Sequence, residues 1–216
     1  MNFGLMALNR KGRPDMQNNI KRDTTLKTIT KIAILSAVAS VLMLFEVPLW
    51  FAPEFYKIDL SEVAVLIGGF ALGPLAGACI ELIKVLLNLL LNGTITGGIG
   101  ELANFLIGCS FILPASVIYR HRKSLASALW GLAAGTLVLT VVGSAMNYFI
   151  LLPVYAGVFG MPIEALVAMG SAINPRITNL SSFVFLAVAP FNLVKGVISS
   201  ALTVLLYKKV SPILHK

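Results

Sequence analysis

The sequence predicts an all-α, polytopic membrane protein, a six-helix transmembrane bundle with both termini in the cytoplasm. Three observations carry this expectation. Of 216 residues, 57% are hydrophobic and only 12% charged, where soluble domains run nearer half and a quarter. The few charges are unevenly spread, nine of them within residues 1–31, so the rest cannot coat a globular surface and a soluble enzyme is excluded. The apolar residues suffice for about six membrane helices of ~20 residues each.

Residues 1–25 read as a basic cytoplasmic arm resting on anionic lipid. The apolar run in MNFGLMALNRKGRPDMQNNIKR is too short for a signal-peptide core, and its basic residues follow that run. The first span covers about Leu26 to Phe45 and stops at Glu46 and Pro48, before the loop VPLWFAPEFYKIDLSE. The stretch Val63–Leu91 is interrupted by Gly73-Pro74, where proline breaks the helical ladder, so it reads as two short helices joined by a tight turn. After the glycine-rich NGTITGGIG, the fourth span runs from about Glu101 to Tyr119 and the fifth from Leu125 to Leu152. A long connection follows with Pro153, Pro162 and Pro175, in which PIEALVAMG is a candidate interfacial helix. The sixth span runs from about Phe183 to Tyr207, which makes residues 26–207 one transmembrane substrate-binding domain and 208–216 a cytoplasmic tail.

The Lys/Arg bias sets the expected orientation. With the N-terminus inside, thirteen of the 17 basic residues fall on the cytoplasmic side and only Lys57 and Arg176 outside, while Lys84 and Lys195 lie within spans. The outer loops are acidic, with Glu54, Asp59, Glu62 and Glu164. The basic excess is therefore a topology signal and no argument for nucleic acid. Neither a 20–50-residue repeat nor inverted symmetry between halves is visible, which disfavours an autonomous alternating-access carrier.

In so apolar a chain the informative residues are polar ones inside spans, because each costs free energy unless partnered. Four sets occur at helical spacing: Glu81, Lys84 and Asn88; Glu101, Asn104 and Gly108; Ser144 and Asn147; Asn192, Lys195 and Ser199. Such stripes face the bundle interior or a cavity, since lipid cannot satisfy them. Glu81 and Lys84 can pair with one another, so a structural ion pair competes with a site there. Asn104 and Asn147 can bond a neighbouring helix. Asn192 and Lys195, in APFNLVKG, are harder to explain as scaffold, because the lysine has no acidic partner in its own helix. Gly69, Gly73 and Gly77, at intervals of four, indicate close helix packing.

Amides offer donor and acceptor together. With Trp50, Phe51, Phe55, Tyr56 and Tyr148 nearby, they suit an uncharged, flat metabolite better than a bare ion. Cys79 and Cys109 lie in apolar stretches without metal-site spacing, and His121 and His215 lie in basic segments. No phosphate loop, HExxH or G-x-S-x-G element occurs, so ATP hydrolysis by this chain alone is excluded and uphill transport needs a partner or a coupled ion. On the first span Ala33, Ser36, Ala37 and Ser40 form one smooth face, centred on Ala33-x-x-x-Ala37, that another helix could approach closely. Packing against the chain's own helices is the equal alternative.

The segments FYKIDLSEVAVLIGGFALGPLAGACIELIK, GGIGELANFLIGCSFILPASVIY, MNYFILLPVY and APFNLVKG follow one another between about residues 30 and 207. Together they resemble the riboflavin-specific S component, the RibU group, of energy-coupling factor (ECF) transporters. The resemblance implies a non-enzymatic, multi-pass subunit of the bacterial cell membrane that takes up riboflavin, with FMN as a further candidate ligand and no resident cofactor. It implies docking, within the lipid bilayer, on a transmembrane coupling protein (EcfT) and two ATPases (EcfA and EcfA′). By the same resemblance Asn147, Asn192 and Lys195 bind the ligand, Lys57 and Asp59 belong to a lid, Glu101 and Asn104 join the site, and Ala33 and Ala37 contact the coupling protein. The connection between spans five and six is longer than the family pattern. The alternatives are an S component for another vitamin, an ion-coupled secondary carrier using Glu81 and Lys84, or a non-transporting membrane subunit.

Overall fold

Helix α1 runs from Arg13 to Met43. The computed structural model describes the backbone of residues 13–214 and, within it, the side chains of 25–207 and Lys209. Much of the basic arm expected at 1–25 and of the tail at 208–216 lies outside the described residues, including Arg10, Lys11, His215 and Lys216.

The α1 face expected to be uniformly smooth divides in two. Leu35, Ser36, Ala39 and Ser40 are buried against the rest of the bundle, whereas Ala33, Ile34, Ala37 and Val38 face outward. Ser36 and Ser40 can turn inward because each hydroxyl donates to a carbonyl one turn back, that of Ile32 and of Ser36, at 2.8 Å. Among the described residues, Ala33 and Ala37 are therefore not covered by the chain's own helices.

The loop after α1 is folded. Strands β1 (Val47–Pro48) and β2 (Lys57–Ile58) pair antiparallel, with Val47 opposite Ile58, and Ala52, Tyr56 and Ile58 of this segment are buried. Helix α2 (Ser61–Leu72) begins deep in the bundle. Its 12 residues make only ~18 Å, short of a hydrocarbon core of about 30 Å. Residues 61–70 are all buried, because α1, α3, α4 and the last helix pack around them. Helix α3 (Pro74–Asn92) has 19 residues, so the two expected short helices are one short and one full-length. Gly73, at φ 105°, makes the turn between them. A Cβ on Gly77 would lie 3.0 Å from the Gly69 Cα, which is why small residues recur there.

Helix α4 spans Ile99–His121 and α5 Leu125–Val158. The expected end of the fifth span at Leu152 is too early, because the helix passes through Pro153. A proline ring clashes with the carbonyl four residues back, here that of Phe149. The turn holding it, Asn147–Leu151, is widened to π-helical geometry and absorbs the clash. Helix α6 is the expected short helix, Ile163–Ile173. Helix α7 runs from Leu180 to Tyr207 as an apolar span, with helical backbone continuing to Leu214. It starts earlier than expected because the Asn179 side chain accepts from the Ser182 N–H and the Ser182 hydroxyl accepts from the Asn179 N–H. Before Pro190 it too is π-helical, at Val184–Val188.

Among the described residues, five helices are long and apolar enough to cross a membrane: α1, α3, α4, α5 and α7. Two apolar cores hold the bundle. One joins α1–α5 around Leu66, Ile80, Phe111 and Leu132. The other joins the α1–α2 loop, the end of α5, α6 and the start of α7 around Tyr56, Leu152, Phe183 and Phe191.

Candidate functional site

Because α2 is short, the α1–α2 loop dips into the bundle, and beside it lies a cavity of about 390 Å³. That is within the range of roughly 300–1,000 Å³ usual for small-molecule sites. The seven binding residues expected from the sequence, Lys57, Asp59, Glu101, Asn104, Asn147, Asn192 and Lys195, all line it. They come from the loop, α4, α5 and α7.

Asp59 uses both carboxylate oxygens. Oδ1 accepts from the Ser61 N–H at 2.8 Å, tying the loop to the first turn of α2, and Oδ2 lies 3.4 Å from the Lys195 ammonium. Burial alone would push this carboxyl up, but the ammonium groups of Lys195 and Lys84 and the Ser61 bond outweigh it and hold it near 2. A depressed carboxyl contributes above its unfolded value and is lost only as pH falls through the folded one, so the loop-to-α7 link is intact at any ordinary pH.

Asn147 is held from two sides. Its Nδ2 donates to the Gly143 carbonyl at 2.8 Å, and its Oδ1 accepts from the Tyr56 hydroxyl at 2.7 Å. Loop and α5 thus close on each other through a residue that lines the cavity. Asn192 is different: it is buried, and its Nδ2 has no hydrogen-bond partner among the described residues. A buried orphan donor costs about 1–3 kcal/mol, which an acceptor on a bound ligand would recover. Gly143 makes room for it, since a Cβ there would sit 2.8 Å from Asn192 Nδ2.

At the rim, Lys57 pairs with Glu46 at 3.1 Å, both about half exposed. Glu101 accepts from the hydroxyls of Thr94 and Thr96, at 3.0 and 3.4 Å, and so orders the glycine-rich connection as well as lining the cavity. The charged lining residues are Glu46, Lys57, Asp59, Glu101 and Lys195, and both lysines face carboxylates. The cavity consequently carries no surplus positive charge for an anionic ligand.

The aromatic lining differs from expectation. Phe55 and Tyr56 line the cavity with Tyr155 and Phe191, whereas Trp50, Phe51 and Tyr148 do not. Trp50 is 86% exposed, while Phe51 and Tyr148 pack against the second core. The Tyr56 ring is 4.7 Å from that of Phe55 and 5.2 Å from that of Phe191, giving an aromatic wall. Tyr155 was hidden from the sequence by the early end assigned to the fifth span. Asn88 lines the cavity with Asn92. Glu81 and Lys84 do not; they form an ion pair at 2.7 Å, completely buried, with Glu62 3.1 Å from Lys84.

Comparison with known proteins agrees with this architecture. The family model for the substrate-specific component of ECF transporters matches residues 27–207. The riboflavin transporter RibU of Staphylococcus aureus (strain TCH60) is 35% identical over 190 residues, covering 88% of this chain and 93% of the relative. The riboflavin transporter FmnP of Bacillus subtilis (strain 168) is 31% identical over 188 residues, covering 87% and 93%. A solved structure described as the S component of a bacterial ECF transporter matches with a TM-score of 0.68 at 35% identity, over 89% of this chain and 99% of that one.

Proposed function

The chain belongs to the substrate-specific components of ECF transporters, and from that premise we propose that it captures riboflavin for uptake across the bacterial cell membrane. It is a multi-pass transport subunit and not an enzyme, working with an energy-coupling module. The observation that carries the riboflavin reading is a cavity lined by amides and aromatic rings in which each lysine already faces a carboxylate. Riboflavin is neutral, with a flat ring edged by donors and acceptors and a polyol chain. Such a ligand bonds to amides, stacks on Tyr56 and Phe191, and needs no counter-charge. Vitamins that carry a carboxylate would enter without one. Names of relatives at 35% and 31% identity over nearly the whole chain support the same ligand.

In this reading the flavin sits under the α1–α2 loop, with Asn147, Asn192 and Lys195 bonding ring or ribityl oxygens. Lys57 and Asp59 act as lid residues, and Glu101 and Asn104 complete the wall. The transmembrane domain is residues 26–207, with α2 the sixth crossing, shortened because the lid enters the bundle above it. The Lys/Arg bias supports a cytoplasmic basic arm and tail and an outer lid. Ala33 and Ala37 meet a helix of the coupling protein EcfT, and EcfA and EcfA′ supply ATP hydrolysis.

Thermal-shift measurements with a panel of vitamins test this reading. Riboflavin should raise the melting temperature, the carboxylate vitamins should not, and FMN should do so less because both lysines of the described cavity lining already face carboxylates. Stabilisation by another vitamin and not by riboflavin would overturn the assignment. Asn192→Ala should weaken riboflavin by about 1–3 kcal/mol, the worth of a buried bond, read as a shift in Kd. Unchanged affinity would remove Asn192 from the site.

A further inference from the structure

Glu62 lies behind the cavity wall and does not line it. It lies in the first turn of α2, where the helix N-terminus favours an anion, and its carboxylate is only 3% exposed. A single oxygen, Oε1, stands 3.1 Å from Lys84 Nζ on α3 and 3.8 Å from Lys195 Nζ on α7. Lys84 is in turn clasped by Glu81 at 2.7 Å. The groups form a chain, Glu81–Lys84–Glu62–Lys195–Asp59, that runs from the buried centre of the bundle to the cavity wall. Of its two lysines only Lys195 reaches the cavity.

A lysine is a compact charge on a flexible four-carbon stem, and one anion leaves it room to swing. Asp59, on the α1–α2 loop, holds Lys195 from the loop side; Glu62 holds it from within the bundle. We propose that Glu62 is a positioning residue for the flavin, acting through Lys195: it keeps the ammonium at the cavity wall whatever the lid does, and Lys84 with Glu81 keeps Glu62 in place. This rests on the reading that Lys195 contacts riboflavin. The sequence concealed the role, because Glu62 reads as one more acid of an outer loop.

The chemistry also makes the test practicable. The cluster holds three carboxylates, Asp59, Glu62 and Glu81, against two ammonium groups. Glu62→Gln therefore neutralises one anion without leaving either lysine alone, and the variant should fold.

The experiment is a double-mutant cycle on the full chain, with riboflavin affinity read by flavin fluorescence in wild type, Glu62→Gln, Lys195→Met and the double variant. Glu62→Gln should weaken binding roughly tenfold, in line with coupling between contacting residues, and should add nothing once Lys195 is methionine. The visible absorption band of bound flavin should shift in Glu62→Gln toward its position in Lys195→Met, a readout that loosened packing would not reproduce. Should Glu62→Gln not be recovered folded, Glu62→Asp retains the anion but draws it back by one methylene, and should show a smaller loss that also vanishes with Lys195→Met.

Wild-type affinity in Glu62→Gln alongside a weakened Lys195→Met would overturn the positioning role and leave the site intact. An equal loss from Glu62→Gln in both backgrounds would also overturn it, because Glu62 would then act without Lys195. Wild-type affinity in Lys195→Met would instead remove Lys195 from the site, and the proposal with it.

Discussion

Lys84→Met is expected to cost about 3–5 kcal/mol of stability, the cost typical of breaking a buried pair by removing one partner. Lys84 is completely buried, 2.7 Å from Glu81 and 3.1 Å from Glu62. Without it Glu81 loses its ammonium partner inside the bundle, and Glu62 keeps only the longer approach to Lys195. The loss has two distinct parts. Burying an ion in an apolar interior costs several kcal/mol, and here the mutual attraction that offsets it disappears. Melting of the detergent-solubilised protein should show a large fall in Tm, or no folded protein should be recovered. Lys84→Met combined with Glu81→Gln should recover much of the loss, because the isosteric amide leaves no unpaired anion at position 81. An unchanged Tm in the single variant would contradict the ionic account of this cluster.

Ala37→Trp should abolish uptake while leaving riboflavin affinity unchanged. Ala33 and Ala37 face outward from α1, beside Ile34 and Val38 and away from Ser36 and Ser40. Small residues one turn apart let two helices approach closely within lipid, where packing rather than the hydrophobic effect drives association. An indole at position 37 would hold a partner helix away without touching the cavity, whose lining includes, among the described residues, no α1 residue before Met43. Uptake in cells containing the coupling module, compared with riboflavin binding by the purified variant, reads the two effects separately. Full uptake would refute docking through this face, and lost binding would show that the change reaches the cavity.

The sequence made part of this legible, and the reasons are physical. Asn147, Asn192 and Lys195 stood out because lipid cannot satisfy an amide or an ammonium, and all three line the cavity. The Glu81–Lys84 pair could be anticipated from its three-residue spacing. Its third member could not, because Glu62 joins it from α2, 22 residues away. The two lysines inside spans against one acid at comparable depth were the available hint that a further carboxylate must be near. Pro153 misled for a different reason. Proline normally ends a helix, and nothing local announces a π-helical turn that carries the chain through. That hid Tyr155 from the site. On α1, a small-residue pattern could not say which small residues turn inward; tertiary packing decides that, and the back-bonded hydroxyls of Ser36 and Ser40 permit it.

Titration of the purified protein with riboflavin, followed by flavin fluorescence, tests the central claim most directly. Saturable quenching at one flavin per chain, complete below micromolar free ligand, is the expected result. Fluorescence unchanged through micromolar riboflavin would contradict it.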